Sequence, residues 1–225
     1  MSGSALVIGA SGSLGTETAR VLTEAGYDLV VSARELPELE DLRQRLDPAG
    51  AFHAVPLDLA STDSIEEWAN RLAEVGPLDV VVNTAAGFSR AALGEADPGA
   101  LESLVHTNFT GPMLVLNALL RRDLLRAGSN VVNVTSLGSA RSFDASRSSA
   151  AHIASKAALG VLGISGGDEL ARLGIRASTV APATLEKSGR SGIDIRALAS
   201  TILALVQLDS RVRVETLVVH AMPPA

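Results

Sequence analysis

The chain has 225 residues, 47% of them apolar, with a formal net charge of −6 and no cysteine. A chain of this length can bury a substantial core, and we expect residues 1–225 to form a single domain. Because cysteine is absent, disulfide frameworks, thiolate metal sites and thiol nucleophiles are excluded, and we expect no metal centre. The acidic balance, with no basic cluster beyond Arg121-Arg122, argues against nucleic acid or an anionic membrane as the main partner.

The first residues lead directly into an apolar run, without the basic region and apolar core of a secretory signal. No uninterrupted apolar stretch approaches the roughly 20 residues that a bilayer span requires. We therefore expect a cytoplasmic protein.

Short β-branched runs alternate with amphipathic stretches along the whole chain, which is typical of β-α units around a parallel sheet. The predicted strands are residues 5–8, 28–32, 52–57, 79–83, 130–135, 176–180 and 215–220. The predicted helices are residues 15–25, 37–46, 64–75, 98–122, 150–173 and 194–207. This order predicts an α/β fold of the Rossmann type, with a doubly wound, mostly parallel, seven-stranded sheet in a three-layer αβα arrangement.

Two predicted loops have the composition of binding segments. Residues 136–149 are rich in serine and small residues, and residues 183–192 are polar. Each loop follows a strand, so both fall at the carboxyl edge of the sheet, where open α/β folds bind ligands.

A glycine-rich turn connects the first strand to the first helix. Gly9, Gly12 and Gly15 form a Gly-x-x-Gly-x-x-Gly pattern, in which small residues let backbone N–H groups and the helix N-terminus approach a pyrophosphate. The alternative is that these glycines serve only tight packing; the position after the first strand favours nucleotide binding. The predicted contacts are Gly9, Ser11, Gly12, Ser13, Leu14 and Gly15.

This turn resembles that of the short-chain dehydrogenase/reductase family, although the commonest family motif has threonine in place of Ile8 and glycine in place of Ser13. Further short matches follow in family-like order over nearly the whole chain. They are Leu57-Asp58-Leu59, Asn83-Thr84-Ala85-Ala86-Gly87, Asn108-Phe109-Thr110-Gly111 and Asn133-Val134-Thr135-Ser136. The resemblance implies that Asp58, Leu59, Asn83 and Ala85 contact the cofactor, that Asn108 is a structural and proton-relay residue, and that Ser136 orients the substrate.

Each of these residues also has a purely structural alternative. Asp58 and Asn83 can cap strand ends, Asn108 can satisfy backbone groups in a kinked helix, and Ser136 can be a turn residue. Only the ordered set of matches on a β-α scaffold favours the functional interpretation.

The second strand is followed by Ser32-Ala33-Arg34, which has no carboxylate to bind a ribose 2′-hydroxyl. Arg34 suits a 2′-phosphate, so NADP(H) is favoured over NAD(H) as the cofactor. An arginine capping a solvated loop is the alternative.

The family signature Tyr-x-x-x-Lys corresponds to residues 152–156, where His152 takes the place of tyrosine. The spacing of four places His152 and Lys156 on one helix face. In the resembled enzymes the tyrosine transfers a proton and the lysine holds the nicotinamide ribose. The only tyrosine, Tyr27, is far from this edge of the sheet and cannot substitute. The alternative is that His152 only forms a pocket wall, whereas Lys156, one of two lysines among 19 basic residues, keeps its ribose-binding role.

A segment after the sixth strand resembles the family's Pro-Gly stretch beside the nicotinamide carboxamide. Pro182 is therefore a predicted cofactor contact, although Ala183 replaces the glycine. Lys187 either reaches a cofactor phosphate or is a solvated loop residue.

These observations favour an NADP(H)-dependent oxidoreductase acting on a carbonyl or alcohol substrate, with an atypical Ser136, His152 and Lys156 site and Asn108 anchoring a water relay. The alternative is a non-redox protein on the same scaffold, either a dinucleotide-sensing regulator or a biosynthetic accessory such as a cyclase or dehydratase. The resemblance also implies a homo-oligomer, dimer or tetramer, formed through helices 98–122 and 150–173.

Overall fold

The computed structural model describes residues 3–138, 140, 148–186 and 192–222. Seven parallel strands form one sheet in the order β3-β2-β1-β4-β5-β6-β7. They are β1 Ser4–Ile8, β2 Asp28–Ser32, β3 Phe52–Ala54, β4 Val80–Asn83, β5 Asn130–Val134, β6 Arg176–Pro182 and β7 Thr216–Val219. The chain winds outward from β1 to β3 and then returns to place β4 on the other side of β1, so the topological switch point lies between β1 and β4.

The helices cover both faces of this sheet. They are α1 Ser13–Glu24, α2 Leu36–Leu46, α3 Thr62–Val75, α4 Pro98–Val105, α5 Gly111–Arg121, α6 Ala150–Val161, α7 Gly167–Arg172 and α8 Ile195–Val206. Among the described residues, none of these helices has both the length and the apolarity needed to cross a lipid bilayer.

The alternating side chains of the strands divide the core into two layers. In β1, Ala5 and Val7 pack into the cluster that contains α1, α2 and α8 residues, whereas Leu6 and Ile8 pack into the cluster that contains α3 and α5 residues. Because successive strand residues point to opposite faces, a strand buried on both sides must be apolar throughout. This arrangement confirms the predicted α/β fold with its seven-stranded, three-layer architecture.

The third strand is shorter than the predicted residues 52–57. Regular pairing ends at Ala54. The N–H groups of Val55 and Leu57 still donate to the carbonyls of Val31 and Ala33, at 3.0 and 2.9 Å. The backbone therefore continues beside β2 to the carboxyl edge without forming a regular strand.

The two long helices predicted from the sequence are each interrupted by a π-helical turn. The first turn, His106–Thr110, separates α4 from α5, and the second, Leu162–Gly166, separates α6 from α7. In the second turn a Cβ on Gly163 would collide with the Thr179 hydroxyl of β6, so the close approach of helix and strand requires glycine. A π-turn inserts one residue and rotates the next part of the helix about its axis, and such turns are frequent at functional sites.

Candidate functional site

A cleft of about 620 Å³ opens at the carboxyl edge of the sheet, beside the switch point between β1 and β4. Open α/β folds bind their ligands in this place. Its walls come from the turn after β1, the ends of β2 and the β3 segment, the loop after β4, and α4 with the π-turn after it. Of the predicted cofactor contacts, seven line it: Gly9, Ser11, Gly12, Arg34, Asp58, Leu59 and Ala85.

The three glycines of the first turn have different roles. Gly9 has a φ of +80°, and a Cβ there would lie 2.7 Å from the backbone nitrogen of Ala85. A Cβ on Gly15 would collide with the carbonyl of Gly9. A Cβ on Gly12 would meet only the carbonyl oxygen of Gly9, at 3.4 Å. Gly12 also lines the cleft. Two glycines therefore serve close packing, as the structural alternative anticipates, and Gly12 keeps the cleft floor free of a side chain.

The N-terminus of α1 is open toward an anion. Its N-cap, Gly12, provides no side-chain hydrogen bond, and the first turn of the helix contains no acidic residue. The first N–H groups of a helix have no intrahelical acceptor and lie at the positive end of its dipole. Ser13, Leu14 and Gly15 belong to this helix start and do not themselves line the cleft.

Arg34 and Asp58 stand on the same wall of the cleft. Arg34 has no ion pair with any residue that the structure describes. Asp58 Oδ1 accepts the N–H of Ala60 at 2.9 Å, which is the capping contact of the structural alternative. Beneath them the hydroxyl of Ser32 is buried and accepts the indole N–H of Trp68 at 2.9 Å, which anchors the end of β2 to α3.

Lys156 is a buried cation, only 3% exposed. It does not itself line the cleft, but it contacts the backbone of Ala85, which does. Its ammonium donates to the carbonyl oxygens of Ala85 and Val134, at 3.1 and 3.0 Å, and so joins the ends of β4 and β5. No carboxylate among the described residues pairs with it. Burial lowers the pKa of Lys156 to about 8, because a buried ammonium loses its hydration.

His152 lies one turn before Lys156 in α6 and is 7% exposed. Its Nδ1 is 3.0 Å from the carbonyl oxygen of Gly87, and its ring meets the ring of Phe88 edge-on, with centroids 5.0 Å apart. Burial lowers the pKa of His152, the Gly87 hydrogen bond opposes that shift, and the charge of Lys156 adds to it.

Asn108 lies in the first π-turn, fully buried, and joins the loop after β4 to α6. Its Oδ1 accepts the N–H of Gly87 at 2.7 Å, and its Nδ2 donates to the Gly87 carbonyl at 3.1 Å. Nδ2 also donates to Ser155 Oγ at 3.0 Å, and Ser155 Oγ donates to the carbonyl of His152 at 2.9 Å. The amide therefore satisfies the backbone groups of Gly87, which is 21 residues away, and not backbone groups of its own helix as the structural alternative expected.

Three further predicted residues do not line the cleft: Asn83, Ser136 and Pro182. Asn83 is behind the rim, where its Oδ1 accepts the N–H of Ala85 at 3.1 Å. Pro182 ends β6, and Ser136 lies two residues after Val134, whose carbonyl Lys156 contacts. Lys187 lies outside the described residues.

Three residues of the site were not predicted from the sequence: Gly87, Phe88 and Ser155. Gly87 is the last residue of the motif after β4, Phe88 is the aromatic residue next to it, and Ser155 directly precedes Lys156. In the sequence, only their closeness to predicted site residues could have indicated a role, because each contacts a residue that is far away along the chain. Among the described residues, no group of three acidic, histidine or cysteine side chains could hold a metal ion.

The lowered pKa of Lys156 predicts a specific pH dependence of stability. Below pH 8 this lysine is protonated in both states, so the folded chain bears the full cost of burying the cation. Between pH 8 and 10.5, its ordinary value, the unfolded chain binds more protons, so rising pH favours the folded state. The free energy of unfolding of wild type relative to Lys156→Met should therefore increase across this window, as measured by urea unfolding.

Arg172→Met is the matched control, because it removes an exposed cation and leaves the buried lysine in place. Its difference from wild type should stay constant. A constant difference for Lys156→Met as well would show that Lys156 is not held as a buried cation.

The comparisons with known proteins agree with this geometry. An uncharacterised oxidoreductase of Staphylococcus haemolyticus is 26% identical over 227 residues, which span 96% of this chain and 96% of that protein. A metagenomic short-chain oxidoreductase solved in complex with NADP has a TM-score of 0.83 at 26% identity, covering 97% of this chain and 96% of that one. A variant of the actinorhodin polyketide ketoreductase, solved with NADPH, has a TM-score of 0.85 at 25% identity, covering 97% and 95%.

The model of the family described as short chain dehydrogenase matches residues 4–193, which include six of the seven strands and the whole cleft. With a parallel sheet in the order 3-2-1-4-5-6-7 and a cleft at its switch point, the chain belongs to the short-chain dehydrogenase family.

Proposed function

We propose that this protein is an NADP(H)-dependent oxidoreductase that interconverts an alcohol and a carbonyl compound, with His152 in the position of the family's tyrosine. The observation that carries this proposal is the buried ammonium of Lys156, held at the cleft rim by two carbonyl oxygens and one helical turn from His152. A buried cation without a carboxylate partner is costly, and a binding role at the cleft accounts for that cost. The non-redox alternative is not favoured, because the three relatives described above are oxidoreductases or a ketoreductase.

The cleft suits a dinucleotide phosphate. The open N-terminus of α1 would hold the diphosphate, Arg34 the 2′-phosphate, and Asp58 with Leu59 would flank the adenine. Two of the three N–H groups of the Lys156 ammonium donate to carbonyl oxygens. The third N–H would donate to the nicotinamide ribose. Two of the similar structures were solved with NADP or NADPH. When bound, the cofactor supplies or accepts a hydride, which no side chain of this protein can do.

The catalytic residues of this proposal are Ser136, His152, Lys156 and Asn108. Ser136 and His152 would contact the substrate oxygen, and Lys156 would hold the cofactor. Asn108 would maintain the loop that carries the Gly87 carbonyl, in addition to the relay role that the resemblance implies. We further propose that residues 1–225 act as one domain, because all seven strands belong to a single sheet. The cytoplasmic location stays a prediction from the sequence.

Cofactor preference depends on Arg34. Removing its guanidinium in Arg34→Ala should weaken NADPH binding about tenfold to a hundredfold, which corresponds to the loss of roughly 1.5–3 kcal/mol of charge-assisted hydrogen bonding. Binding of NADH, which lacks the 2′-phosphate, should change little. Calorimetric titration of both dinucleotides measures this difference.

Arg43→Ala is the control, because Arg43 is an exposed arginine on α2 outside the cleft lining. It should leave both affinities unchanged. Equal loss of NADPH and NADH affinity in Arg34→Ala would contradict a 2′-phosphate contact, and failure of wild type to bind either dinucleotide would contradict the proposed function.

Catalysis depends on His152. The purified protein should oxidise NADPH with members of an aldehyde and ketone panel, or reduce NADP⁺ with the corresponding alcohols. His152→Ala should lower kcat by about a hundredfold or more, the usual contribution of a general acid or base. If wild type binds NADPH but turns over no substrate, and His152→Tyr gains activity, the proposal that His152 supports redox chemistry is wrong.

We also propose a homodimer formed through the helices that the resemblance implies. An apolar groove of about 650 Å³ lies between α5 on one side and α6, the second π-turn and α7 on the other. Val161 and Leu173 on its walls are 63% and 57% exposed, which is unusual for large aliphatic side chains so close together.

Val161→Asp should convert this dimer to a monomer in light scattering, since burying an unpaired carboxylate in an apolar interface costs several kcal/mol. Val212→Asp places the same charge on an apolar side chain that is 46% exposed and outside the groove, and it should leave the mass unchanged. A wild-type monomer, or a Val161→Asp dimer, would contradict this interface.

A further inference from the structure

The hydrogen bond between His152 and Gly87 decides which ring nitrogen carries the proton. A backbone carbonyl oxygen can only accept, so the Nδ1 atom that lies 3.0 Å from it must be the donor. Fixing one ring nitrogen in this way sets the tautomer of a neutral imidazole. Neutral His152 therefore carries its proton on Nδ1, and Nε2 has a free lone pair.

The carbonyl that fixes this tautomer is itself immobilised. Asn108 holds the Gly87 residue at both its N–H and its carbonyl, at 2.7 and 3.1 Å. The Gly87 oxygen thus accepts two hydrogen bonds, from His152 Nδ1 and Asn108 Nδ2, which use both of its lone pairs. Because Asn108 is fully buried, the carbonyl cannot turn away from the ring without breaking this network.

His152 does not itself line the cleft, although Gly87 and Phe88, which its ring contacts, do. Nε2 is the ring nitrogen that these contacts leave without a partner. It makes no hydrogen bond with any residue that the structure describes. Nε2 is also not fully buried. The described side-chain atoms that are both fully buried and without a hydrogen-bond partner are Thr18 Oγ1, His106 Nδ1, Thr179 Oγ1 and Arg213 Nη1. Phe88, which is 57% exposed and lines the cleft, packs edge-on against the same ring.

The surroundings favour the neutral ring. The charge of Lys156 on the same helix opposes protonation of the ring. Arg90 is placed only against Phe88, with its guanidinium 5.5 Å from the centre of that ring. Asn108, which faces His152 from the π-turn through Ser155, is uncharged. No described carboxylate pairs with His152, and burial lowers its pKa.

We propose that the Gly87 carbonyl makes His152 a proton acceptor at neutral pH, so that the site is built to oxidise an alcohol, and that Asn108 is the positioning residue that holds this carbonyl. This inference rests on the proposed function. In the step, the O–H bond of the alcohol breaks and its proton passes to His152 Nε2. The carbinol C–H bond breaks at the same time, its hydride passes to the oxidised nicotinamide of NADP⁺, and a C=O bond forms. Reduction runs in reverse and needs the doubly protonated ring, because neutral His152 has no Nε2–H to donate to a carbonyl.

Nitrogen NMR of the free protein tests the tautomer without any cofactor. The chain has four histidines, so ¹⁵N-histidine labelling gives few signals, and comparison with His152→Gln identifies those of His152. At pH 7.5 the expected spectrum shows a protonated Nδ1 and an unprotonated Nε2. A protonated Nε2 with an unprotonated Nδ1 would overturn the inference.

The role of Asn108 is tested by the same spectrum. Asn108→Ala should give a mixture of both tautomers, because the Gly87 carbonyl is no longer held, whereas Asn70→Ala, an exposed asparagine that accepts a bond from Arg122, should match wild type. An unchanged tautomer in folded Asn108→Ala would overturn the positioning role. If Asn108→Ala does not fold, Asn108→Asp supplies the test: its Oδ1 can still accept the Gly87 N–H, but Oδ2 repels the Gly87 oxygen, so the fraction of the Nδ1–H tautomer should fall.

The two directions of turnover should respond oppositely to pH. Alcohol oxidation should fall about tenfold for each pH unit below the pKa of His152, and carbonyl reduction should fall about tenfold for each unit above it. Reduction that becomes faster as pH rises through neutrality would overturn the inference while leaving the proposed function intact. An Nδ1–H spectrum in a protein that binds no dinucleotide would contradict the proposed function and still support the tautomer.

Discussion

The site depends on one buried ammonium and the two carbonyl oxygens that hold it. Lys156 connects the loop after β4 to the end of β5 through Ala85 and Val134, and no described carboxylate neutralises it. Such a cation is unfavourable in a protein interior unless hydrogen bonds replace its lost hydration. The same contacts bring α6, and with it His152, against the rim of the cleft. The hydrogen bonds that stabilise the buried ammonium of Lys156 therefore also hold His152, one helical turn away, in its position.

A second constraint is the orientation of a single peptide group. Gly87 receives the Asn108 amide on one side and the His152 ring on the other, so the loop after β4, the first π-turn and α6 are locked together at one point. The π-turn places Asn108 in the interior, where its amide can reach both the loop and Ser155. Buried polar networks of this kind are rigid only when every member is satisfied. All of the Asn108 side-chain groups have partners here, which makes the site pre-formed.

In the proposed site, where His152 takes the position of the family's tyrosine, the chemistry that is accessible near neutral pH is different. A phenol in its neutral form can donate a proton, whereas an imidazole whose Nδ1–H is already bound can donate only when it is charged. Burial and the charge of Lys156 oppose that charge. In the proposed reaction, the preferred direction of proton transfer at His152 is therefore set by a backbone carbonyl.

The sequence by itself determined the fold class, the order of elements and the place of the cleft. Short, continuous apolar runs made β1 and β2 recognisable, because both strands are buried on both faces, and β2 has the predicted bounds of 28–32. Tertiary structure alone decided the π-turns, the separate roles of Gly9 and Gly12, and the tautomer of His152. The contact behind that tautomer joins residues 65 positions apart, and no periodicity or motif spacing encodes which lone pair faces which proton across such a distance.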